Sequence, residues 1–206
     1  MIYSFDIFDT VLTRCVANPR AVFLLMQKKL SFDQRFSAHK NILRNFSFLR
    51  FKAELKARLK AFKEDISLGA IYNELFQYIK SQEITDLLKQ EEIITEKSLL
   101  RPINFICEKI KNLQIKKERV IFISDMYLSS EILTTFLTEK TGLNISQKDI
   151  YVSGEVGLRK TTGGLFKYVF KKENIKSCEL IHYGDNLLSD CLIPSKMGIK
   201  IYANFQ

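Results

Sequence analysis

Histidine and tryptophan are scarce in this chain of 206 residues, which contains two histidines and no tryptophan. The chain has four cysteines, at Cys15, Cys107, Cys178 and Cys191. They show no C-x-x-C spacing, and neither histidine lies near a pair of cysteines. Because a zinc site needs clustered cysteine and histidine ligands, this composition argues against one. It also argues against a disulfide framework, so we expect reduced, mostly buried thiols in a cytoplasmic protein.

Long apolar runs are also missing, and none approaches the roughly 20 residues of a membrane-spanning helix. The segment Met1–Val11 lacks a basic start and carries two aspartates, which does not fit a signal peptide. The hydrophobic fraction of 46% is nevertheless typical of a folded globular protein. We therefore expect a folded cytoplasmic protein without membrane association.

The net charge of +9 is unevenly distributed along the sequence. Residues 14–63 contain thirteen basic and two acidic side chains, whereas residues 64–97 contain three basic and eight acidic ones. The basic segment can face an anionic substrate or a polyanion. It can equally be the lysine-rich, solvated face of a set of helices, and the sequence alone leaves both interpretations open.

Short apolar segments alternate with helical patterns at the start and in the second half of the chain. Strands are predicted at 2–8, 120–123, 149–152, 179–183 and 199–202. Helices are predicted at 129–141, 164–172 and 187–197. This alternation predicts an α/β protein with a Rossmann-like parallel sheet and helices on both faces. Ligands of such sheets bind outside the carboxyl ends of the strands.

The part of the chain between the first two strands contains no convincing strand. Apolar residues recur there at helical spacing, and Gly69 is the only glycine between Met1 and Lys140. We expect an inserted, all-helical domain, followed by a helix at 97–114 with Pro102 near its start or at a kink. The predicted organisation is a core domain of residues 1–14 and 98–206 and an inserted domain of residues 15–97.

Polar side chains suited to phosphate chemistry follow the predicted strands. Asp6 lies near the end of the first strand, Ser124 and Asp125 follow the second, and Asp185 and Asp190 follow a later one. A carboxylate at a strand end can attack phosphorus and form an aspartyl-phosphate. Since two anions repel, such a site needs a cation, which Mg²⁺ bound by carboxylates can supply.

Two further groups complete this hypothesis. Ser124 and nearby backbone amides can donate hydrogen bonds to phosphate oxygens. Lys160 lies in a basic turn that opens a helix, and it can neutralise charge on the nucleophile and on the phosphoryl group. Arg159 competes with Lys160 for this role. Arg14 follows the first loop closely and is a candidate for contacting the distal part of the substrate.

Asp6, Ser124, Lys160 and the pair Asp185 and Asp190 resemble, in order, the motifs of the haloacid dehalogenase (HAD) superfamily. The resemblance covers nearly the whole chain, because the segment after Asp9 corresponds to the helical cap of that family. It implies a HAD-like core, Mg²⁺ as the cofactor and a phosphorylated small molecule, such as a sugar or polyol phosphate, as the substrate. The opening Phe-Asp-Ile-Phe-Asp-Thr also looks like a subgroup of predicted hydrolases associated with bacterial surface-polysaccharide genes.

One position departs from the family pattern. The phosphatases carry an acid–base aspartate two residues after the nucleophile, where this chain has Phe8 and places Asp9 one residue later. The resemblance still implies that the backbone carbonyl of Phe8 is a metal ligand. Three outcomes remain open: Asp9 fills the acid–base role, the leaving group needs no proton, or the protein binds ligand without turnover. Dehalogenases of the family also lack this aspartate, but they need no acidic metal site.

Several neighbouring residues have more than one possible role. Asp190 is expected to bind the metal directly, to bind it through water, or to orient Lys160. Asn186 is expected to support the site or to cap a helix. Thr10 orients the first loop or binds phosphate, and Asp125 caps a helix or contacts substrate. His182 is expected to be a hydrogen-bonded strand-end histidine rather than a base.

The leading hypothesis is a Mg²⁺-dependent phosphatase in which Asp6 attacks, Lys160 holds charge and Asp9 transfers the proton. The rival is a catalytically weak or silent domain that binds a phosphorylated ligand, a protein partner or a polyanion through the basic segment. Nucleic acid is not the expected partner, and the sequence does not indicate an oligomeric state.

Overall fold

The computed structural model describes residues 1–203 and contains two β-sheets. Their strands are β1 Ile2–Phe5, β2 Leu12–Arg14, β3 Leu100–Pro102, β4 Arg119–Ser124, β5 Ile150–Val152, β6 Leu180–Gly184 and β7 Lys200–Ala203. The main sheet has the strand order β5-β4-β1-β6-β7, and all of its pairings are parallel. β2 and β3 form a separate two-stranded sheet. The predicted α/β fold with a parallel sheet is confirmed.

Ten α-helices lie within the described residues 1–203. They are α1 Ala21–Leu30, α2 Lys40–Leu43, α3 Phe46–Lys60, α4 Leu68–Ile79, α5 Gln82–Leu99, α6 Asn104–Ile115, α7 Ser130–Thr141, α8 Ser153–Val156, α9 Gly164–Glu173 and α10 Ile193–Lys196. A π-helical turn at Leu187–Leu192 precedes α10. Short 3₁₀ segments lie at Gln34–His39, Gln147–Asp149 and Ser177–Glu179. The insertion between β2 and β3 is entirely helical, as the sequence predicts.

The helix predicted at 97–114 is confirmed only from Asn104 onward, as α6, and its predicted start is wrong. α5 ends at Leu99, a short strand follows, and α6 starts only at Asn104. The reason is Pro102, which has no backbone N–H and also disfavours helical backbone at the residue before it. The first strand also ends earlier than predicted, at Phe5. The strand β2 carries no alternating pattern long enough to be recognised in the sequence.

The two faces of the main sheet are packed differently. On one face, Ile121 and Ile123 of β4 pack with α9 through Leu165, Phe166 and Val169. On the other face, the ring of Phe5 stacks on Tyr183, with centroids 4.7 Å apart, and lies 6.4 Å from Phe122. Because successive strand residues point to opposite faces, both sides of the sheet bury apolar side chains.

The described chain divides into two compact units. The first, here called the core unit, comprises Met1–Thr13, Lys63–Asp65 and the chain from Arg101 onward. The second, here called the helical unit, comprises Arg14–Phe62 and Ile66–Leu100. The segment Lys63–Asp65, which the sequence places within the insertion, therefore belongs to the core unit. The assignment of these units as catalytic core and cap stays a prediction.

Ion pairs within the helical unit neutralise much of the basic segment. Buried or partly buried glutamates of α4 and α5 accept these bonds: Arg14–Glu96, Lys29–Glu91, Arg35–Glu91, Arg50–Glu92, Lys56–Glu74 and Lys60–Glu74. The contrast between a basic and an acidic stretch of sequence is thus partly an internal pairing of helices. What remains unpaired is a smaller set of basic side chains.

Arg50 is the most deeply buried of these cations. Its guanidinium donates to both oxygens of Glu92, at 2.7 and 2.8 Å, and to Glu54 at 3.0 Å. Its Cζ also lies 4.6 Å from the ring centroid of Phe23. Since both partners of the Arg50–Glu92 pair are inaccessible to solvent, removal of one would leave an uncompensated charge.

We therefore expect Arg50→Ala to lower the free energy of unfolding by about 3–5 kcal/mol. Chemical denaturation followed by circular dichroism measures this loss. The double variant Arg50→Met/Glu92→Leu, which removes both charges, should recover most of it. A single variant as stable as the wild type would show that the buried pair does not hold these helices together.

The four cysteines are free thiols, but the expectation that they are mostly buried is wrong. Cys15 and Cys178 are exposed, and Cys107 and Cys191 are half-buried. No helix within residues 1–203 is both long and apolar enough to cross a bilayer.

Candidate active site at the carboxyl edge of the sheet

The candidate site lies where β1, β4 and β6 end side by side. In the sheet register, Phe5 of β1 lies opposite Phe122 of β4 and Tyr183 of β6. The next residue of β1, Asp6, donates its backbone N–H to the carbonyl of Tyr183 at 2.8 Å. The parallel register therefore brings the three polar strand ends of the sequence to one edge of the sheet.

Lys160 connects two of the predicted carboxylates. Its Nζ donates to Asp6 Oδ1 at 2.5 Å and to Asp190 Oδ1 at 2.6 Å, and the side chain is almost fully buried. The second oxygen of Asp6 has no hydrogen-bond partner within residues 1–203. Lys160 thus holds one oxygen of Asp6 and leaves the other free to react. Arg159, the competing candidate, instead lies 3.3 Å from Asp65.

Asp190 is held by more donors than any other carboxylate of the site. Oδ1 accepts from Lys160 and from His182 Nε2 at 3.1 Å, and Oδ2 accepts from the backbone of Asn186 at 3.1 Å and from Ser189 Oγ at 3.3 Å. A Cβ atom at Gly184 would lie only 2.4 Å from the Cβ of Asp190. The glycine is therefore required for Asp190 to approach the end of β6 so closely.

His182 supports Asp190 from below the site. It is fully buried, and its Nδ1 lies 2.8 Å from Ser4 Oγ. Burial lowers its pKa, although the hydrogen bond to Asp190 opposes the shift. A neutral imidazole that donates from Nε2 to Asp190 and accepts from Ser4 satisfies both contacts. His182 is consequently a positioning residue for Asp190, in line with its predicted role as a hydrogen-bonded strand-end histidine.

Asp185 is the third carboxylate and the least constrained. It is half-buried and accepts one side-chain hydrogen bond, from Thr10 Oγ1 at 3.2 Å. One carboxylate oxygen from each of Asp6, Asp185 and Asp190 lies within 4.8 Å of the other two. Oxygen donors of this kind are the ligands that Mg²⁺ prefers. Three carboxylates and one ammonium leave two negative charges, which a single divalent cation would balance.

The pKa values in this cluster follow from burial and from the shared cation. Burial raises the pKa of Asp6 to about 7; the charges of Asp190 and Asp185 add to the shift, and Lys160 opposes it. Burial also acts on Asp190, but the charge of Lys160 and the bond from His182 outweigh it and lower its pKa. The same carboxylates outweigh burial at Lys160 and raise its pKa. Without a metal, the charge of Lys160 is therefore not enough to offset the burial of Asp6 and the repulsion from its neighbouring carboxylates.

The loop that carries Lys160 is anchored from two directions. Both carboxylate oxygens of Asp125 accept from the backbone N–H of Lys160, at 2.9 and 3.2 Å. Glu64 accepts from the backbone of Arg159 at 2.7 Å and from Thr162 Oγ1 at 2.7 Å. Asp125, predicted to cap a helix or to contact substrate, is thus engaged with the loop. Its binding of substrate stays a prediction.

Asp9 adopts a backbone conformation that is unusual for a residue other than glycine, with φ at 58°. Its side chain is exposed and accepts a hydrogen bond from Thr13 Oγ1 at 3.0 Å. The charge of Asp9 contributes to the raised pKa of Asp185, whose largest cause is burial, so the two carboxylates are within electrostatic range. Strained backbone of this kind costs about 1–3 kcal/mol and is found frequently at functional loops.

The remaining predicted residues have different surroundings. Ser124 is buried at the end of β4, and its hydroxyl has no hydrogen-bond partner in the described part of the chain. Phe8 lies in the segment between β1 and β2, where its backbone forms an isolated parallel β-bridge with Leu12. Arg14 belongs to the helical unit and donates to Glu96 at 2.6 Å. Asn186 accepts from the backbone of Leu188 and Ser189, which makes it a helix cap.

Sequence analysis missed Glu64, Asp65 and Ser153 as parts of this site. Ser153 Oγ donates to Asp65 at 2.6 Å and accepts from the backbone of Met126 at 2.9 Å, which ties the segment Lys63–Asp65 to the loop after β4. The contact between Ser153 and Asp65 joins residues 88 positions apart, so no local pattern reveals it. The only available signal is the pair of acids that interrupts the helical periodicity before Ser67.

No protein-family model matches this chain, and no curated protein matches it by sequence. Solved structures do match, and their fold is that of haloacid dehalogenase-type enzymes. Two of them have TM-scores of 0.62. The first is the HAD family enzyme BT-2542 of Bacteroides thetaiotaomicron, solved with magnesium and inorganic phosphate, at 16% identity over 98% of this chain and 92% of that one.

The second is a 2-haloacid dehalogenase of Pseudomonas syringae, at 13% identity over 97% of this chain and 84% of that one. A third neighbour is the putative HAD-hydrolase YfnB of Bacillus subtilis, bound to magnesium, with a TM-score of 0.57. It is 19% identical over 97% of this chain and 86% of that one. The predicted HAD-like fold is thereby confirmed over nearly the whole chain.

Proposed function

We propose that this chain is a Mg²⁺-dependent hydrolase of the HAD superfamily that removes phosphate from a phosphorylated small molecule. The observation that carries the proposal is the buried Asp6 carboxylate, held through one oxygen by Lys160 and clustered with Asp185 and Asp190. Neighbours of the same fold solved with magnesium, one of them also with phosphate, support the assignment. The sequence resemblance extends the proposal to sugar or polyol phosphates.

Each side chain has a role in this scheme. The free oxygen of Asp6 attacks phosphorus, the bond to the leaving oxygen breaks, and an aspartyl-phosphate forms. Asp9 gives the departing oxygen its proton, so that it leaves as an alcohol. Lys160 offsets the charge of Asp6 and of the phosphoryl oxygens. The unpartnered hydroxyl of Ser124 donates to a phosphate oxygen. Water then attacks the aspartyl-phosphate, and Asp6 leaves as a carboxylate.

The metal would be held chiefly by Asp6, Asp185 and the backbone carbonyl of Phe8. When bound, Mg²⁺ supplies positive charge that offsets the repulsion between a carboxylate nucleophile and a phosphate dianion. Asp190 has its lone pairs occupied by four donors, so we assign it to orienting Lys160 and to contacting the metal through water. Thr10 holds Asp185 in place, and Asp125 positions the Lys160 loop.

Dehalogenases share the fold, so carbon–halogen cleavage is the competing chemistry. The acidic cluster favours phosphate transfer, since halide displacement gains nothing from three carboxylates around a cation. The deciding experiment offers the protein phosphorylated sugars, polyol phosphates and 2-haloacids, with Mg²⁺ or with a chelator. We expect Mg²⁺-dependent release of phosphate. Release of halide that persists with the chelator would overturn the proposal.

The raised pKa of Asp6 makes metal binding depend on pH. Below pH 7 the metal must displace a proton from Asp6, so affinity should rise with pH and level off above it. We expect the dissociation constant of Mg²⁺ to fall by up to about tenfold per pH unit from pH 5 to 7. Titration calorimetry in buffers of different ionisation enthalpy measures both the affinity and the proton released.

The matched control for this titration is Asp6→Asn, which has no proton to release. Its residual Mg²⁺ affinity should be weak and nearly independent of pH over the same range. If the wild-type protein binds Mg²⁺ with the same affinity at pH 5 and pH 7, then Asp6 does not ligate the metal.

A further inference from the structure

The outward face of α3 carries large apolar side chains where a surface helix normally carries polar ones. Its inward face buries Phe46, Arg50, Ala53 and Ala57. The opposite face exposes a row spaced at three to four residues, here called the α3 stripe: Phe48 at 64% exposure, Phe51 at 36%, Leu55 at 49% and Leu59 at 79%. Exposed apolar patches of this kind mark sites of interaction with other molecules or with membranes.

The cations of the helical unit that lack a carboxylate partner lie near the start of this stripe. Within the stretch Arg14–Phe62 of that unit, five basic side chains form no ion pair with any described residue: Arg20, Lys28, Lys40, Arg44 and Lys52. Three of them, Lys28, Lys40 and Arg44, line one cavity of about 500 Å³, together with Leu24, Leu43, Gln27 and Ser31. No carboxylate lines it, so the cavity concentrates positive charge.

Two contacts join the cavity to the α3 stripe. The guanidinium of Arg20 lies 4.2 Å from the ring centroid of Phe51. Arg20 precedes Leu24, which lines the cavity, by one helical turn. Gln27, which lines the cavity, accepts from the backbone N–H of Ser47 and donates to the carbonyl of Arg44. The cationic cavity and the apolar row therefore lie close to each other on the helical unit.

We propose that this surface docks on an anionic phospholipid membrane. Lipid phosphates would meet Lys28, Lys40 and Arg44, while the α3 stripe would enter the boundary between headgroups and acyl chains. A nucleic acid would match the cations but would leave four large apolar side chains against a hydrated backbone. A second copy of this chain, docked through the same surface, would place one cationic surface against another, and the like charges would repel. Of these three partners, the anionic bilayer complements both the charge and the apolar row.

This proposal revises the expectation of no membrane association, which came from the absence of a spanning segment. Docking of this kind needs no such segment, because the helix lies in the plane of the interface. It is also independent of the proposed phosphatase activity, since none of its residues belongs to the candidate active site.

The test is sedimentation of the full chain with vesicles made of equal parts of phosphatidylglycerol and phosphatidylcholine, against vesicles of phosphatidylcholine alone. We expect binding to the anionic vesicles only, weakened by salt. Leu55→Ser/Leu59→Ser should weaken it by at least about tenfold. Replacing Lys28, Lys40 and Arg44 together by glutamine should weaken it by about 100-fold.

Matched changes in the core unit serve as controls. Phe105→Ser/Ile115→Ser alters two exposed apolar residues of α6, and the triple glutamine variant of Lys116, Lys148 and Lys167 removes the same charge. Both should bind vesicles as the wild type does. All variants should keep the wild-type circular dichroism spectrum, because every changed side chain is exposed.

Four outcomes would overturn the proposal. The first is no binding to anionic vesicles at low salt. The second is equal vesicle binding by the stripe variant and the wild type. The third is tight binding to a DNA duplex that the stripe variant retains. The fourth is a dimer, detected by sedimentation equilibrium, that the stripe variant abolishes while vesicles are not bound.

Discussion

Asp6→Asn should reduce Mg²⁺-dependent phosphate release by about 10³-fold or more, because the amide can neither attack phosphorus nor ligate the metal as an anion. Asparagine has nearly the same shape as aspartate, and Lys160 keeps its second partner, Asp190, at 2.6 Å. The substitution should therefore lower the rate constant of phosphate release and leave the folded structure unchanged. Phosphate release, measured under saturating substrate and Mg²⁺, gives that rate constant directly.

Asp86→Asn is the matched control for this variant. Asp86 is an exposed residue of α5 in the helical unit, and its carboxylate accepts from Gln82 at 2.9 Å. The control should retain the wild-type rate and the wild-type melting temperature. An Asp6→Asn rate within tenfold of the wild type would exclude a covalent role for Asp6, whatever the identity of the substrate.

The parts of this site that the sequence predicts are those encoded next to a strand. Asp6, Ser124 and Asp185 each follow an apolar segment, and parallel register alone brings such ends together. Lys160 could be predicted because it lies in the basic turn that precedes α9, at the same edge of the sheet. Local pattern was sufficient for these four residues because each lies next to an end of a regular element.

The parts that the sequence does not predict depend on contacts between distant segments. The role of Asp190 became clear only from its four donors, two of which, Lys160 and His182, come from other elements. Glu64 and Asp65 reach the Lys160 loop although they lie within the inserted part of the chain. The helix predicted at 97–114 was started too early for a different reason. Its apolar spacing is helical on both sides of Pro102, and helical periodicity takes no account of the backbone N–H that proline lacks.

The loop after β1 poses the remaining chemical problem. By the sequence resemblance, Phe8 occupies the position at which HAD phosphatases carry their acid–base aspartate. The left-handed backbone at Asp9 turns the chain sharply after Phe8. The charge of Asp9 also reaches Asp185, where it adds to the effect of burial on the pKa of that carboxyl. We propose that Asp9 acts as the proton donor from this shifted position, and the substitution below separates that role from a purely structural one.

Asp9→Asn should therefore slow the hydrolysis of alkyl phosphates by about 10²–10⁴-fold, since an alkoxide needs a proton in order to leave. An aryl phosphate with an acidic phenol leaves without one, so its rate should fall by less than about tenfold. Asparagine tolerates the left-handed conformation as aspartate does, so the variant tests the carboxyl group and not the backbone. Steady-state rates with the two substrate classes measure the difference.

Thr13→Val provides the structural comparison, because it removes the hydrogen bond to Asp9 at 3.0 Å and keeps the carboxylate. If Asp9 only stabilises this loop, the Thr13 and Asp9 variants should lower the rates of alkyl and aryl phosphate hydrolysis by the same factor. If Asp9 donates the proton, Thr13→Val should leave the ratio of alkyl to aryl rates unchanged while Asp9→Asn lowers it. A wild-type protein that binds phosphate and Mg²⁺ but hydrolyses neither class would instead identify the chain as a silent member of this fold, with Phe8 as the reason.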